Sequence, residues 1–207
     1  MKLYYKPGAC SLSPHIVLAE SGLSFDVEKV DTAAMKTERG ADYAKINPKG
    51  YVPCLGLDNG EFLTEGTAIV QYIADKVPQK KLAPPAGTME RYRLMEWLNF
   101  IATELHKGGF SPLFNKNLPD DLKAKSVERL GKRIGFAAKH LEKNRYLMGD
   151  TFTVADAYLF TMLRWAPGMI DLSPWPALKN YQNRIESRPA VHETLLGEGL
   201  IESKLAA

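Results

Sequence analysis

Two hydrophobic periods share this 207-residue chain, and they meet near residue 80. Before that point, short apolar runs of strand length alternate with helix-like stretches. After it, apolar residues recur at three- and four-residue intervals, and nothing reads as a strand for long. A change of period divides a chain into parts that cannot share one kind of layer. The expectation is an α/β domain over residues 1–80, a linker over 81–87 and an all-α domain over 88–207.

In the first part, Leu3-Tyr4-Tyr5 reads as a strand, 14–21 as a helix stopped by Gly22, and 25–30 as an alternating strand. A polar loop with room for one short helix follows. Residues 52–57 and 61–63 read as strands joined by the Asp58-Asn59-Gly60 turn, and 64–77 as a helix. The order βαβ, then ββα, implies a mixed four-stranded sheet. Pro84-Pro85-Ala86-Gly87 punctuates the linker. Beyond it, helices are expected over 89–108, 122–144, 153–166, 176–187 and 190–196. Thr153-Val154-Ala155-Asp156 has the form of a helix cap, and the apolar residues after it mark a buried central helix.

Composition excludes several classes. Charged residues make up 25% of the chain and the net charge is +3, with acids and bases interleaved. No basic block marks a nucleic-acid surface. No apolar run is long enough for a membrane span. Two cysteines, Cys10 and Cys54, are too few for a disulfide scaffold and fit a reducing cytosol. No cluster has metal-ligand spacing.

Four features carry chemistry. Cys10 stands between a strand and a helix, where unpaired N–H groups and the helix dipole favour a thiolate. The position suits a small buried apolar side chain equally well. Pro53, at the head of a strand, fits a cis bend that leaves Val52 free to pair with an extended peptide, or an ordinary edge strand. At Leu63-Thr64-Glu65-Gly66 a strand gives way to a helix. Its N–H groups can hold a carboxylate and Glu65 can accept from an ammonium group; a plain helix start with an acidic first turn has the same pattern. Finally, Asn99, Thr103 and His106 are spaced i, i+4, i+7 and share one face of an α-helix, with Lys107 beside them.

Taken in order, these segments resemble the glutathione transferases, most closely the bacterial beta class. The resemblance runs from Lys2-Leu3-Tyr4-Tyr5-Lys6-Pro7-Gly8-Ala9-Cys10-Ser11-Leu12 through Asn47-Pro48-Lys49-Gly50-Tyr51-Val52-Pro53 and Leu63-Thr64-Glu65-Gly66. It continues through Glu96-Trp97-Leu98-Asn99 and Glu104-Leu105-His106-Lys107 to Phe152-Thr153-Val154-Ala155-Asp156. It implies a thioredoxin-like N-terminal domain, a helical C-terminal domain and a cytoplasmic homodimer. Glutathione would be a co-substrate, with no permanently bound cofactor. It would lie along Val52 before a cis Pro53, its γ-glutamyl end held by Glu65 and Gly66, with Asn99 reaching in from the partner subunit. Thr103, Glu104, Leu105 and His106 would line the site further on. Cys10 would sit at the glutathione sulfur. His106 and Lys107 would donate to the sulfur or to charge developing on the substrate, and Ser11 resembles the activating hydroxyl of other classes.

The resemblance also marks departures. Relatives carry a lysine for the glycine carboxylate of glutathione where this chain has Met35, and the Gly108-Gly109 pair holds one glycine more than theirs. That pair is expected to loosen the end of its helix. The implied activity is conjugation of glutathione to small hydrophobic electrophiles. Cys10-Ser11-Leu12-Ser13, a single thiol in a Cys-x-x-Ser frame, leaves open a glutathione-dependent reductase or reductive dehalogenase working through a mixed disulfide. A non-enzymatic binding protein on the same fold is the third reading. Cys54 is the candidate resolving thiol, although its place in a strand favours packing.

Overall fold

The structure is a computed structural model that describes residues 1–202; residues 203–207 of the expected helical domain lie outside the described residues. Contacts divide the chain into two compact units: Met1–Lys80 with the segment from Glu186 onward, and Lys81–Ile185.

The first unit is built on a five-stranded mixed sheet in the order β3-β2-β1-β4-β5. The strands are β1 (Lys2–Tyr5), β2 (Asp26–Asp31), β3 (Lys36–Thr37), β4 (Cys54–Gly56) and β5 (Phe62–Thr64). β1 pairs parallel with β2 and antiparallel with β4, with Leu3 opposite Val27 and Leu55. The expected sheet had four strands. The fifth is the two-residue β3, which pairs antiparallel with the end of β2 and is too short to show alternation in sequence.

The pleat sends neighbouring side chains to opposite faces. Leu3 and Leu55 are fully buried on one. On the other, Tyr4 and Cys54 join Val30, Tyr43 and Val52, with Met35, Ala9 and Ile46 against them. α1 (Leu12–Ser21) is buried from Leu12 to Leu18. Pro14 costs it nothing, because first-turn N–H groups have no intrahelical acceptor. Gly22 ends it in the left-handed conformation, φ 73°, its N–H bonding to Ala19. α2 (Tyr43–Ile46) is the short helix of the polar loop, and α3 (Gly66–Lys76) follows β5.

The last helix among the described residues groups with this sheet unit, whereas the expectation placed 88–207 in one helical domain. α9 (Pro189–Gly197) packs on α1, and the Arg188 guanidinium bonds both oxygens of Glu20, at 2.6 and 2.8 Å.

The second unit holds α4 (Met89–Phe100), a π-helical segment (Ile101–Phe110), α5 (Ser111–Leu113), α6 (Asp120–Leu141), α7 (Val154–Leu163) and most of α8 (Pro176–Glu186). Thr88 caps α4 by accepting from the Arg91 N–H at 3.2 Å. α7 is buried along its whole length, as its apolar surround predicts. Its Asp156 organises this unit. The carboxylate reaches back to the Thr153 N–H at 2.9 Å and also accepts from the Thr153 hydroxyl, the Leu147 N–H and the Tyr181 hydroxyl. Even with four donors, burial pushes its pKa up to about 6.

The π-helical segment is the departure from the expected helix over 89–108. Such segments usually last one turn, whereas this one runs ten residues. The glycine pair explains where it closes. A Cβ at Gly108 would stand 2.6 Å from the Thr103 carbonyl oxygen, and one at Gly109 would stand 2.8 Å from that of Glu104. Each close approach spans five residues, the π spacing. The pair does not loosen the helix end, because the segment passes directly into α5. Arg129 bonds the Gly108 carbonyl, and Arg133 bonds Glu104 at 2.7 Å.

Candidate functional site

In the first unit the expected residues converge. Cys10 is half-buried, two positions ahead of α1, and its Sγ lies 3.3 Å from the Val52 carbonyl oxygen. The helix N–H groups expected to face the sulfur are taken: Leu12 donates to the Ala9 carbonyl at 3.0 Å and Ser13 to that of Cys10 at 3.3 Å. Ser11 is fully buried. Its hydroxyl donates to the Lys6 carbonyl and accepts from the Lys6 N–H, both at 3.1 Å, so it fastens the turn that carries Cys10. Both bonds hold the turn.

The Val52-Pro53 bond is cis. The residue before Val52 is fixed from two sides: the Tyr51 carbonyl accepts from the Asn47 amide at 2.7 Å and from the Tyr43 hydroxyl at 3.0 Å. Among the described residues the Val52 N–H has no hydrogen-bond acceptor. This is the open backbone donor that peptide pairing requires.

Glu65 is held at φ 68°, a conformation a non-glycine residue adopts at a cost. The strain sits at the start of α3. The Glu65 carbonyl accepts from Ala68 and Ile69, while the Gly66 and Thr67 N–H groups have no acceptor among the described residues. The Glu65 carboxylate accepts from Lys49 Nζ at 2.6 Å and the Tyr51 hydroxyl at 2.7 Å, and Lys49 also reaches Thr64. Lys49 and Tyr51 are site neighbours that the sequence reading missed; both lie in the quoted Asn47–Pro53 motif, but nothing local ties them to Glu65.

Met35 adopts φ 52° and packs against the Tyr4–Tyr43 cluster, while Lys36 lies exposed on β3. Cys54 is fully buried, and burial pushes its thiol pKa up to about 11. That makes it a poor resolving thiol.

In the second unit the expected residues separate. Asn99 is exposed near the end of α4, and the exposed Thr103 donates its hydroxyl to the Asn99 carbonyl at 2.9 Å. Glu104 pairs with Arg133. The Leu105 side chain is fully buried in the core, so it can offer a ligand only its main chain. His106 does not share the face of Asn99 and Thr103. The wider π turn carries it inward, where Nδ1 lies 2.7 Å from the Tyr158 hydroxyl and the ring meets Trp165 edge-on at 5.1 Å. Burial, reinforced by the neighbouring Lys107 charge, pulls its pKa down to about 4. His106 is therefore neutral across the physiological range, and can donate or accept but not act as a cation. Lys107 itself is exposed. Tyr158 was legible as a buried tyrosine in an apolar helix, which needs a partner for its hydroxyl.

A cavity of about 610 Å³ opens in this unit between Leu163 and Leu172, but none of the expected site residues line it. Among the described residues no group of three His, Cys, Asp or Glu is placed to hold a metal, and no helix is long and apolar enough to cross a membrane.

Comparisons with known proteins agree with this geometry. The family model for the glutathione S-transferase N-terminal domain matches residues 1–75, and that for the C-terminal domain matches residues 101–189. The chain is 47% identical over 201 residues to glutathione S-transferase GstA of Escherichia coli O157:H7, covering 97% of this chain and 100% of that one. It is similar to the solved ternary complex of BphK, a bacterial transferase, with a TM-score of 0.93 and 56% identity over 96% of this chain and 100% of that chain. It is equally similar in shape to a bacterial beta-class enzyme from Sphingomonas chungbukensis, with a TM-score of 0.93 and 47% identity over 97% of this chain and 100% of that chain. The turn at Cys10, the cis Pro53 and the strained Glu65 thus stand in a chain that belongs to the glutathione S-transferase family and, within it, to the bacterial beta class.

Proposed function

We propose that this chain joins the thiolate of glutathione to small hydrophobic electrophiles, as a homodimer, with Cys10 against the glutathione sulfur. One observation carries the reading: an open N–H at Val52, two open N–H groups at the start of α3 and a thiol beside Val52 lie in one unit. A short peptide whose middle residue pairs with the Val52 backbone would turn that residue's thiol toward Cys10 and extend its γ-glutamyl end toward Gly66. The Gly66 and Thr67 N–H groups suit its α-carboxylate, because a helix start favours anions. Glu65, already oriented by Lys49 and Tyr51, suits its ammonium group. Asn99 is exposed on α4, which is consistent with its reaching a second copy of the chain.

In the transfer, the glutathione thiolate attacks the electrophilic carbon and a C–S bond forms. The displaced electron pair leaves with halide or moves onto the acceptor group, and the thiol proton passes to solvent. Neutral His106 serves as a hydrogen-bond group for developing charge, and Lys107 as an electrostatic one. The test is turnover of a panel of activated aryl halides and unsaturated carbonyls by protein shown calorimetrically to bind glutathione. Binding with no turnover of any member would leave a binding protein and defeat this reading.

The Cys10 thiol supports a second reaction. Its thiolate attacks one sulfur of a glutathione disulfide, one S–S bond forms as another breaks, and glutathione thiolate departs. Ser13 stands where a resolving cysteine would, so release falls to a second glutathione.

A further inference from the structure

We propose that the Ser13 hydroxyl donates a hydrogen bond to the Cys10 thiolate and so favours the reactive form of that thiol. The proposal deepens the reading in which Cys10 meets the glutathione sulfur, and rests on that reading for its use. Ser13 is 2% exposed, and its Oγ has no hydrogen-bond partner. Among the described residues no other buried side-chain nitrogen or oxygen lacks one. An unpartnered buried hydroxyl costs the fold free energy until something binds it. The Ser13 N–H bonds the Cys10 carbonyl at 3.3 Å, so the two residues stand one turn apart. A helical side chain leans toward the helix N-terminus, over the turn that precedes its own Cα. For Ser13 that turn carries Cys10, and rotation about χ1 sweeps the hydroxyl across it.

A thiolate at Cys10 needs donors, and the nearby ones are committed. The Leu12 and Ser13 N–H groups bond carbonyls of the turn, and the Ser11 hydroxyl is held by Lys6. The neutral thiol lies 3.3 Å from the Val52 carbonyl oxygen, which suits S–H and repels S⁻. When the thiol proton passes to solvent, the sulfur loses that bond and the Ser13 hydroxyl gains an acceptor. A hydrogen bond to a charged group is worth more than one to a neutral group, so the contact favours the thiolate. The other titratable groups around the turn have their own settings. The Tyr5 and His15 rings meet at 5.5 Å, and Glu198 accepts from the Gly8 N–H at 2.9 Å and lies 2.8 Å from His15 Nδ1. The Tyr43 hydroxyl donates to the Tyr51 carbonyl, Cys54 is buried with its thiol pushed up to about 11, and Lys6 is exposed. None of them bonds Ser13 Oγ, so a substitution at Ser13 leaves those bonds in place.

The experiment measures the rate of Cys10 alkylation by iodoacetamide against pH in the full chain, wild type against Ser13→Ala. The thiolate attacks carbon, a C–S bond forms and iodide leaves. Ser13→Ala is expected to raise the midpoint of the profile by about one pH unit, so the rate well below the midpoint falls about tenfold. The plateau at high pH, where every sulfur is ionised, is expected to stay within about twofold of wild type. A merely structural role would change the plateau and leave the midpoint alone. An unshifted midpoint, or a loss confined to the plateau, overturns the proposal. A second measurement tests the missing partner. In a Cys10→Ala background no thiolate is present, so Ser13→Ala is expected to leave the denaturant midpoint unchanged or to raise it. A lower midpoint, or a double variant that does not fold, shows that the hydroxyl serves the fold and overturns the proposal. Neither measurement uses glutathione. The underlying reading is tested apart, by mixed-disulfide formation between wild-type Cys10 and oxidised glutathione, so the two fail separately.

Discussion

Two buried groups of the helical unit titrate in opposite senses, and together they predict a hidden balance in the acid stability of this protein. His106 is pulled from an ordinary 6.5 down to about 4. The unfolded chain therefore binds its proton more readily between those values, and stability contributed by neutral His106 is lost as pH falls from 6.5 toward 4. Asp156 is pushed from an ordinary 3.8 up to about 6. There the folded chain binds the proton more readily, so stability is lost as pH rises from 3.8 to 6. At 1.36 kcal/mol per pH unit, each gap is worth about 3 kcal/mol. The two nearly offset across the same window, so neither is visible in the wild-type protein. Substituting one should expose the other. Relative to wild type, His106→Gln should lose about 2 kcal/mol of stability between pH 4.5 and 7.5 as pH rises, and Asp156→Asn should gain a similar amount. Denaturant unfolding at fixed protein concentration, repeated every half pH unit, measures this. The difference between variant and wild type cancels other titrating groups outside these contacts. Two flat differences, or two slopes of the same sign, would refute the reasoning.

Other outcomes follow from single contacts. Glu65→Ala removes the carboxylate that Lys49 and Tyr51 orient, and is expected to raise the KM for glutathione about tenfold or more, read from initial rates at saturating electrophile. Alkylation by iodoacetamide at pH 8 should label each folded chain once, at Cys10. Cys54, with its thiol pushed up to about 11, should react only in denaturant, and Cys10→Ala should take no label until unfolded. Gly109→Ala drives a Cβ to 2.8 Å from both the Glu104 carbonyl oxygen and Leu130 Cδ1. A destabilisation of about 1–3 kcal/mol is expected from denaturant unfolding.

What could be read from the sequence follows the range of each interaction. Elements long enough to hold several helical repeats, such as α1, α6 and α7, lie within a few residues of their expected bounds, and α1 and α7 also carry their own stop at Gly22 and cap at Thr153. β3 could not be read: two residues contain no period, and its pairing depends on the loop reversing at Met35 with φ 52°. The π-helical segment defeated the face argument for His106, which assumed 3.6 residues per turn. Gly108-Gly109 inside a helical pattern was its signal, and was read as a weakness instead of a close approach. Cys10, Pro53 and Glu65 were legible because each sits at a junction between elements whose local geometry is special. Lys49 on Glu65, Tyr158 on His106 and Glu198 on Gly8 join residues 16, 52 and 190 positions apart, and no local pattern records such pairs.

The central claim is that Cys10 stands at the sulfur of a working glutathione site. The most direct measurement is intact-protein mass spectrometry after incubation with oxidised glutathione, comparing wild type with Cys10→Ala. The account predicts one glutathione added per wild-type chain, released by reductant and absent from the variant. No adduct on wild-type protein that still binds glutathione, or an adduct that survives in Cys10→Ala, would contradict it.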